Sequence, residues 1–207
     1  MAQELLDLAG GVLPRARGGW RCVVADPPWS FKDAGSRVAP DAVVRRKARG
    51  GVARIYGTMP TSWVAGLPVA SVVAPSAHLY LWCPSALLED GLVVMRAWGF
   101  TLKTTLVWDK VTAGGRPAFG AGHYYRGAHE LVLFGVRGRC PALSRRERTR
   151  FEGVVGEHSR KPEVLQDMAE RVSPGPRLEL FARRRRAGWT TWGDQVPAEL
   201  AGTGTEG

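Results

Sequence analysis

Four consecutive residues have the clearest chemical potential: Asp26, Pro27, Pro28 and Trp29. Asp26 offers a carboxylate that accepts hydrogen bonds from an amino group, and the carbonyl oxygen of Pro27 offers a second acceptor. Trp29 offers a flat face, and stacking of a base on an aromatic ring contributes about 1 to 3 kcal/mol. An exocyclic aromatic amine is a weak nucleophile, and its methylation needs such acceptors, a surface that holds the ring and a methyl donor in line. The four residues therefore predict a site for amine methylation.

The elements that position this motif follow from the pattern around it. The apolar run over residues 20–25 predicts a buried strand. Two prolines directly after Asp26 end that strand, because each fixes φ and removes a backbone donor. Asp26 is therefore expected at the carboxyl end of a strand, where open α/β sheets bind ligands. Two long polar loops, over residues 30–55 and 109–127, are candidate binding loops.

Strand patterns alternate with helix patterns along the rest of the chain. Amphipathic spacing predicts helices over residues 84–98 and 162–172, and a shorter helix after an N-cap at Thr58. Strands are predicted over residues 20–25, 78–82, 100–108, 130–136 and 177–182. This alternation predicts a mostly parallel α/β sheet.

A basic composition bears on the partner of the protein. Of the 207 residues, 29 are Lys or Arg and 19 are Asp or Glu, which gives a formal net charge of +10. Such a charge attracts the phosphates of nucleic acid, although many basic proteins carry it only as solvated surface. Arg45, Arg46 and Lys47 in the first long loop are candidate phosphate contacts, as is the run over residues 145–150.

The composition excludes several other classes of protein. With 44% hydrophobic residues and eight Trp, the chain can bury a substantial core, and Trp29 is the one Trp expected outside that core. Residues 1–14 lack the basic start of a secretory signal, and no apolar run approaches a membrane span, so we expect a cytoplasmic protein without membrane association. Three widely spaced Cys and four scattered His give no metal-binding pattern, so no metal is expected.

Six stretches in a fixed order carry a family resemblance. They cover residues 23–29, 56–59, 79–82, 122–130, 158–163 and 179–195. Together they resemble the DPPW-type adenine-N6 methyltransferase family, which includes the catalytic subunit of the eukaryotic messenger-RNA adenosine methyltransferase and has bacterial and phage members. The resemblance implies a Rossmann-like α/β methyltransferase fold with S-adenosylmethionine as cofactor. It also implies a permuted order, in which the catalytic strand precedes the cofactor-binding segment.

The resemblance implies roles for individual residues. Asp26 and Pro27 would bind the target amine, and Pro28 and Trp29 complete the catalytic motif. The residues that would contact the substrate are Tyr56, His123, Tyr124 and Glu130. The residues that would contact the cofactor are Asp26, His158, Lys161, Phe181, Arg183, Asp194 and Gln195. For His123 a structural role fits equally well, and Glu130 could pin a loop through a salt bridge instead of touching the substrate.

Two departures from the family pattern leave contacts open. Arg185 and Arg186 stand where relatives often have His and Asn, so the ribose contacts there are unassigned, and the run over residues 183–186 could equally be solvated surface. Asp194 stands where relatives often have Asn, and its carboxylate could accept from a ribose hydroxyl. No residue of the N-terminal segment is assigned to the cofactor adenine.

The sequence as a whole predicts an adenine-N6 methyltransferase that acts on nucleic acid, with DNA favoured over RNA. Residues 1–19 are predicted to form an N-terminal segment, residues 20–196 the methyltransferase domain and residues 197–207 a flexible tail. We expect a monomer or homodimer, and a homologous partner subunit is compatible with the sequence. An RNA methyltransferase, a catalytically silent nucleic-acid-binding partner, and a methyltransferase for a small molecule or protein amide remain as alternatives.

Overall fold

The computed structural model describes residues 12–30, 58–120, 124–156 and 160–193. The strands in these ranges are β1 (Trp20–Ala25), β2 (Val73–Cys83), β3 (Thr101–Val111), β4 (His129–Arg137), β5 (Arg150–Val154), β6 (Arg177–Leu180) and β7 (Thr190–Trp192). The helices there are α1 (Thr61–Gly66), α2 (Leu88–Ala97) and α3 (Val164–Val172), with 3-10 turns at Val69–Ser71 and Ser85–Leu87. All five predicted strands are present, with β2 extended toward its beginning and β5 and β7 added.

The strands of the described chain form one seven-stranded sheet in the order β5-β3-β4-β2-β1-β6-β7. Neighbouring strands are parallel except where β4 is involved, since β4 runs antiparallel to both β2 and β3. The prediction of a mostly parallel α/β sheet is therefore confirmed. Because β4 runs in the opposite direction, its first residues lie at the edge where β1, β2 and β3 end.

Side chains of β1 are buried on both faces of the sheet. Val23 and Ala25 belong to the core cluster that α1 and α2 cover. Cys22 and Val24 point to the opposite face and pack with Leu165 of α3. Such burial on two faces is characteristic of an inner strand in a three-layer α/β fold and explains why this run is continuously apolar.

The beginning of α1 differs from the prediction. The helix begins at Thr61, and Pro60 rather than Thr58 occupies the N-cap position, without a side-chain capping bond. Proline disfavours helical backbone in the residue before it, which excludes an earlier start. The hydroxyl of Thr61 instead donates to Oδ1 of Asp90 at 2.5 Å and ties α1 to α2. Similarly, α2 begins at Leu88, because a 3-10 turn precedes it.

A chain of buried hydrogen bonds lies on the α3 face of the sheet. Burial lowers the pKa of His78, so its ring is neutral at pH 7. His78 Nε2 donates to the carbonyl of Cys140 at 2.8 Å, which leaves Nδ1 to accept from the hydroxyl of Ser173, also at 2.8 Å. The hydroxyl of Tyr80 completes the chain by donating to Ser173 Oγ at 2.8 Å. The tautomer of His78 follows from its partners.

Parts of the predicted domain layout fall outside the described residues. These include residues 1–11 of the predicted N-terminal segment and the whole of the predicted tail over residues 197–207. The domain boundaries therefore stay predictions. Within the described ranges, no helix combines the length and the apolar character that crossing a membrane requires.

Candidate functional site

The predicted catalytic motif lies at the carboxyl edge of the sheet. Just past the end of β1, the backbone N–H of Asp26 donates to the carbonyl of Leu180 on β6 at 3.4 Å. The chain then turns sharply, since the backbone N–H of Trp29 donates to the carbonyl of Pro27 at 2.8 Å. A carbonyl oxygen has two lone pairs, so this bond uses only one acceptor position of Pro27. Backbone bonds thus hold both proposed amine acceptors in place.

A buried lysine joins two carboxylates beside the motif. Lys161 Nζ lies 3.0 Å from Oδ1 of Asp26 and 3.2 Å from Oε1 of Glu130. The side chains of Lys161, Asp26 and Glu130 are only 13%, 20% and 14% exposed. The second carboxylate oxygen of Glu130 pairs with Lys110 Nζ at 3.3 Å. Low exposure weakens solvent screening, so the Coulomb attraction within these ion pairs is stronger than in pairs on an open surface, although desolvation of the charges opposes it.

The direction of β4 places Glu130 in this charged centre. Leu131 pairs with Cys83 at the end of β2, and Glu130 pairs with Trp108 on β3. The antiparallel strand thus presents its first residues beside the ends of its neighbours, while Lys161 comes from the segment before α3. Of the two roles open for Glu130, the structure shows the salt bridge. Contact with the substrate stays a prediction.

Two buried tryptophans lie under the lysines. Lys161 Nζ is 5.5 Å from the ring centroid of Trp82, and Lys110 Nζ is 5.2 Å from that of Trp108, both within cation–π range. The two indoles contact each other edge to face, with centroids 5.7 Å apart. Both tryptophans were predicted to lie in the core, and their contact with the site was not predicted. That contact depends on the register of β2 against β1, in which Leu81 pairs with Ala25, and residue spacing alone does not encode this register.

Burial and charge shift the pKa values of Asp26 and Lys161. Burial raises the pKa of Asp26, the charge of Lys161 opposes this rise, and the charge of Glu130 adds to it. For Lys161, burial lowers the pKa, but the charges of Asp26 and Glu130 outweigh burial and leave the pKa above its usual value. Lys161 is therefore cationic at neutral pH and favours the ionised form of the Asp26 carboxyl group. The charge of Arg183 also lowers the pKa of Asp26.

Trp29 is buried in the core cluster on the face of α1 and α2. Its indole N–H donates to the carbonyl of Trp82 at 2.9 Å. The next segment is fixed by the backbone N–H of Met59, which donates to the carbonyl of Pro28 at 2.8 Å. The expectation that Trp29 lies outside the core is therefore wrong, because β2 offers a partner for its polar atom. Its role as a stacking face in a base pocket stays a prediction.

The other described residues of the predicted site differ in their surroundings. Phe181 follows β6 with a φ of 60°, which is uncommon for a residue other than glycine, and its ring contacts Trp192 edge to face at 5.5 Å. Tyr124, predicted to contact the substrate, is 95% exposed in the segment between β3 and β4. The predicted residues that lie outside the described ranges are Arg45, Arg46, Lys47, Tyr56, His123, His158, Asp194 and Gln195. Of the predicted site residues, the structure thus brings Asp26, Glu130 and Lys161 together.

Comparison with known proteins gives the family context of this site. The model of the MT-A70 family matches residues 20–195. The chain is 28% identical to the Type II methyltransferase M.MunI of Mycoplasma sp., over 98% of this chain and 88% of that protein. It is 30% identical to the N6-methyladenosine RNA methyltransferase MTA1 of Cryphonectria parasitica, over 84% of this chain and 51% of that protein. It is 23% identical to the N(6)-adenine-specific methyltransferase METTL4 of Mus musculus, over 84% of this chain and 37% of that protein. The chain therefore spans most of the bacterial relative but about half or less of the two eukaryotic ones.

Proposed function

The chain belongs to the MT-A70 family, and we propose on this basis that it is an S-adenosylmethionine-dependent methyltransferase acting on the N6 amine of adenine in nucleic acid. The resemblance seen in the sequence motifs is confirmed by the family match and by the names of the relatives. The observation that carries the proposal is the position of Asp26, a carboxylate at the carboxyl end of an inner strand, paired with a buried lysine. We further infer a Rossmann-like fold of permuted order, with the catalytic motif before the cofactor-binding segment in a domain over residues 20–196.

The proposed chemistry depends on two hydrogen-bond acceptors. The target amine has two hydrogens, and the carboxylate of Asp26 and the carbonyl of Pro27 accept one each. These bonds localise the lone pair on nitrogen, which conjugation with the ring otherwise delocalises. As the nitrogen gains a methyl group it must lose one proton, and Asp26, whose pKa is raised by burial, is placed to receive it. Trp29 is proposed to support the base from the core side of the motif.

The residues of the site fit S-adenosylmethionine, which supplies a methyl group from its sulfonium. Lys161 fits the carboxylate of that molecule, and Asp26 fits its positively charged portion. A buried atom without a partner supports the fit, because Oε2 of Glu179 makes no hydrogen bond within the described residues. Burial raises the pKa of Glu179, and the charge of Asp26 contributes to the rise. A cationic ligand at this edge would relieve the repulsion between the two carboxylates.

The proposed substrate is DNA in preference to RNA. The match to the Type II methyltransferase covers nearly the whole of both chains, whereas the match to the RNA methyltransferase covers half of that protein. The net charge of +10 suits a phosphate backbone. Within a duplex the adenine would have to leave the base stack, at a cost of a few kcal/mol. We propose that Arg45, Arg46, Lys47, Tyr56 and Tyr124 contact the nucleic acid, and that the protein acts as a monomer or homodimer.

The test is methyl transfer from labelled S-adenosylmethionine to DNA, RNA and free nucleotides in parallel. The decisive variant is Asp26→Asn, which keeps the shape of the side chain but removes the charged acceptor. Glu152→Gln is the matched control, because it also changes an acid to its amide, and Glu152 is exposed on β5. We expect transfer to DNA that is lost in Asp26→Asn and kept in Glu152→Gln.

The other outcomes are equally informative. Full transfer by Asp26→Asn would overturn the role of the carboxylate. Transfer to RNA alone would replace DNA as the substrate, and transfer to nucleotides or protein alone would replace nucleic acid altogether.

A further inference from the structure

One arginine of the basic run after β6 turns back onto α3 and lies at the centre of an ion-pair cluster. The three carboxylate partners of Arg186 are Glu163 (3.4 Å from Nη1), Asp167 (2.5 Å from Nη2) and Glu170 (2.9 Å from Nε). Glu163 directly precedes α3, and the three acids are spaced by four and three residues, so they project from one side of the helix and its N-cap. Arg186 is thus engaged on every nitrogen of its guanidinium and does not belong to an open charged surface.

The surroundings of this cluster make it more than a surface ion pair. The side chain of Arg186 is 18% exposed. Hydrogen bonding to Glu170 raises the pKa of Arg186, and the same bond lowers the pKa of Glu170. Glu170 Oε1 also accepts from the indole N–H of Trp189 at 2.7 Å, and Arg184 pairs with Glu163 at 2.8 Å. Several residues between β6 and β7 are therefore fixed to one helix.

The cluster connects the two segments that carry proposed cofactor contacts. Glu163 lies two residues after Lys161, and Arg186 lies three residues after Arg183. Phe181, at the start of the same loop, holds a left-handed backbone conformation that needs support from its surroundings. The ion pair between Arg186 and Glu163 therefore links the segment that carries Lys161 to the segment that carries Arg183.

We propose that Arg186 is a positioning residue, whose ion pairs with Glu163, Asp167 and Glu170 hold the loop over residues 181–189 against α3 before the cofactor binds. The inference rests on the proposed function, because the ligand that benefits is S-adenosylmethionine. A loop that is ordered in advance loses less conformational entropy on binding, so the free energy of binding is more favourable. While it holds these acids, Arg186 does not contact the cofactor itself.

The primary experiment measures the Kd of S-adenosylmethionine by calorimetry for the wild type, Arg186→Ala and Arg171→Ala. Arg171 is the matched control, because it lies on the same helix and pairs with Glu147 at 2.6 Å, but its side chain is 52% exposed and the pair does not involve the loop. If Arg186 immobilises about two side chains of the binding loop, its loss raises the Kd roughly tenfold. We expect this increase in Arg186→Ala only, with kcat at saturating cofactor within about twofold of the wild type.

A double-mutant cycle separates positioning from general loss of stability. Asp167→Asn removes a partner of Arg186 that belongs to no proposed cofactor contact. We expect it to raise the Kd by itself, and we expect the double variant to bind no more weakly than Arg186→Ala. An unchanged Kd in Arg186→Ala, or multiplied effects of the two changes, would overturn the proposal.

Hydrogen exchange of the loop amides gives a readout that does not need the cofactor. Exchange over residues 181–189 should be faster in Arg186→Ala than in Arg171→Ala, and equal exchange in the two variants would overturn the proposal. If the wild type failed to bind S-adenosylmethionine, the proposed function would be overturned. Faster exchange in Arg186→Ala would still support the proposal that Arg186 holds the loop against α3. The two failures are therefore distinguishable.

Discussion

Removal of the ammonium group in Lys161→Met should destabilise the protein, and the penalty should depend on pH. The variant leaves Asp26 and Glu130 as neighbouring carboxylates of low exposure. At the 3.0 Å separation of Lys161 and Asp26, the Coulomb attraction is about 5 kcal/mol for an effective dielectric constant of about 20. Desolvation of the charges offsets much of this, and breaking a buried pair by removing one partner typically costs about 3 to 5 kcal/mol. Because Glu130 keeps its pair with Lys110, we expect the lower end, about 3 kcal/mol at pH 8.

The sign of the pH dependence follows from Asp26. Burial already raises its pKa above the value in the unfolded chain, and loss of Lys161 removes the largest opposing charge, so the pKa rises further. A carboxyl group whose pKa is raised in the folded state stabilises that state at low pH. This contribution is lost as the pH rises through the folded-state pKa. The penalty of Lys161→Met should therefore shrink as the pH falls from 8 to 5.

Urea unfolding at pH 8, 6.5 and 5 measures this effect. The double variant Asp26→Asn/Lys161→Met lacks the Asp26 carboxylate that Lys161→Met leaves unpaired. It should therefore be more stable than the sum of the two single changes predicts. Lys103→Met is the control, since Lys103 is exposed on β3 and its loss should change stability by less than about 0.5 kcal/mol. A penalty that is constant with pH, together with additive single changes, would refute the reasoning.

Three further predictions concern the scaffold of the site. Burial lowers the pKa of His78, so the contribution of His78 to stability is complete above the unfolded pKa of 6.5 and is lost as the pH falls below that value. His78→Gln should therefore flatten the pH dependence of the free energy of unfolding between pH 7.5 and 5, and an unchanged pH dependence would contradict the buried neutral ring. Gly91→Ala should destabilise the protein by about 1 to 3 kcal/mol in urea unfolding, because the added Cβ would lie 2.5 Å from the buried Sγ of Cys83. Gly66→Ala is the control and should not destabilise the protein, because a Cβ at that position meets no atom within 4 Å. Trp29→Phe removes the indole donor to β2 and should cost about 1 to 3 kcal/mol in thermal or urea unfolding, and a neutral result would contradict the buried hydrogen bond.

Local patterns in the sequence accounted for much of the fold. The apolar run that became β1 was predicted over its full range, because a strand buried on both faces leaves a continuous signal. The strands β5 and β7 were not predicted, because both are short and neither contains a continuous apolar run. Their pairing depends on backbone bonds to β3 and β6, which side-chain patterns do not encode.

Asp26 was identifiable from sequence because its chemistry depends on residue type and on the prolines after it, whereas Lys161 was identified through the family resemblance. Their connection was not identifiable, because it joins three segments that are far apart in the chain. Glu130 reaches Lys161 only because β4 runs antiparallel, and residue spacing does not set the direction of a strand after a long loop. For Arg186 the sequence likewise left two roles open, and only its ion pairs with the acidic residues of α3 distinguish between them.

Residue type and local backbone restriction are thus enough to predict the chemistry of Asp26 and the end of a strand before it. Which charges meet, and which of them are buried, depends on the tertiary structure. Contacts between distant segments depend on strand order and direction, and these are set by the packing of the whole sheet rather than by any one segment.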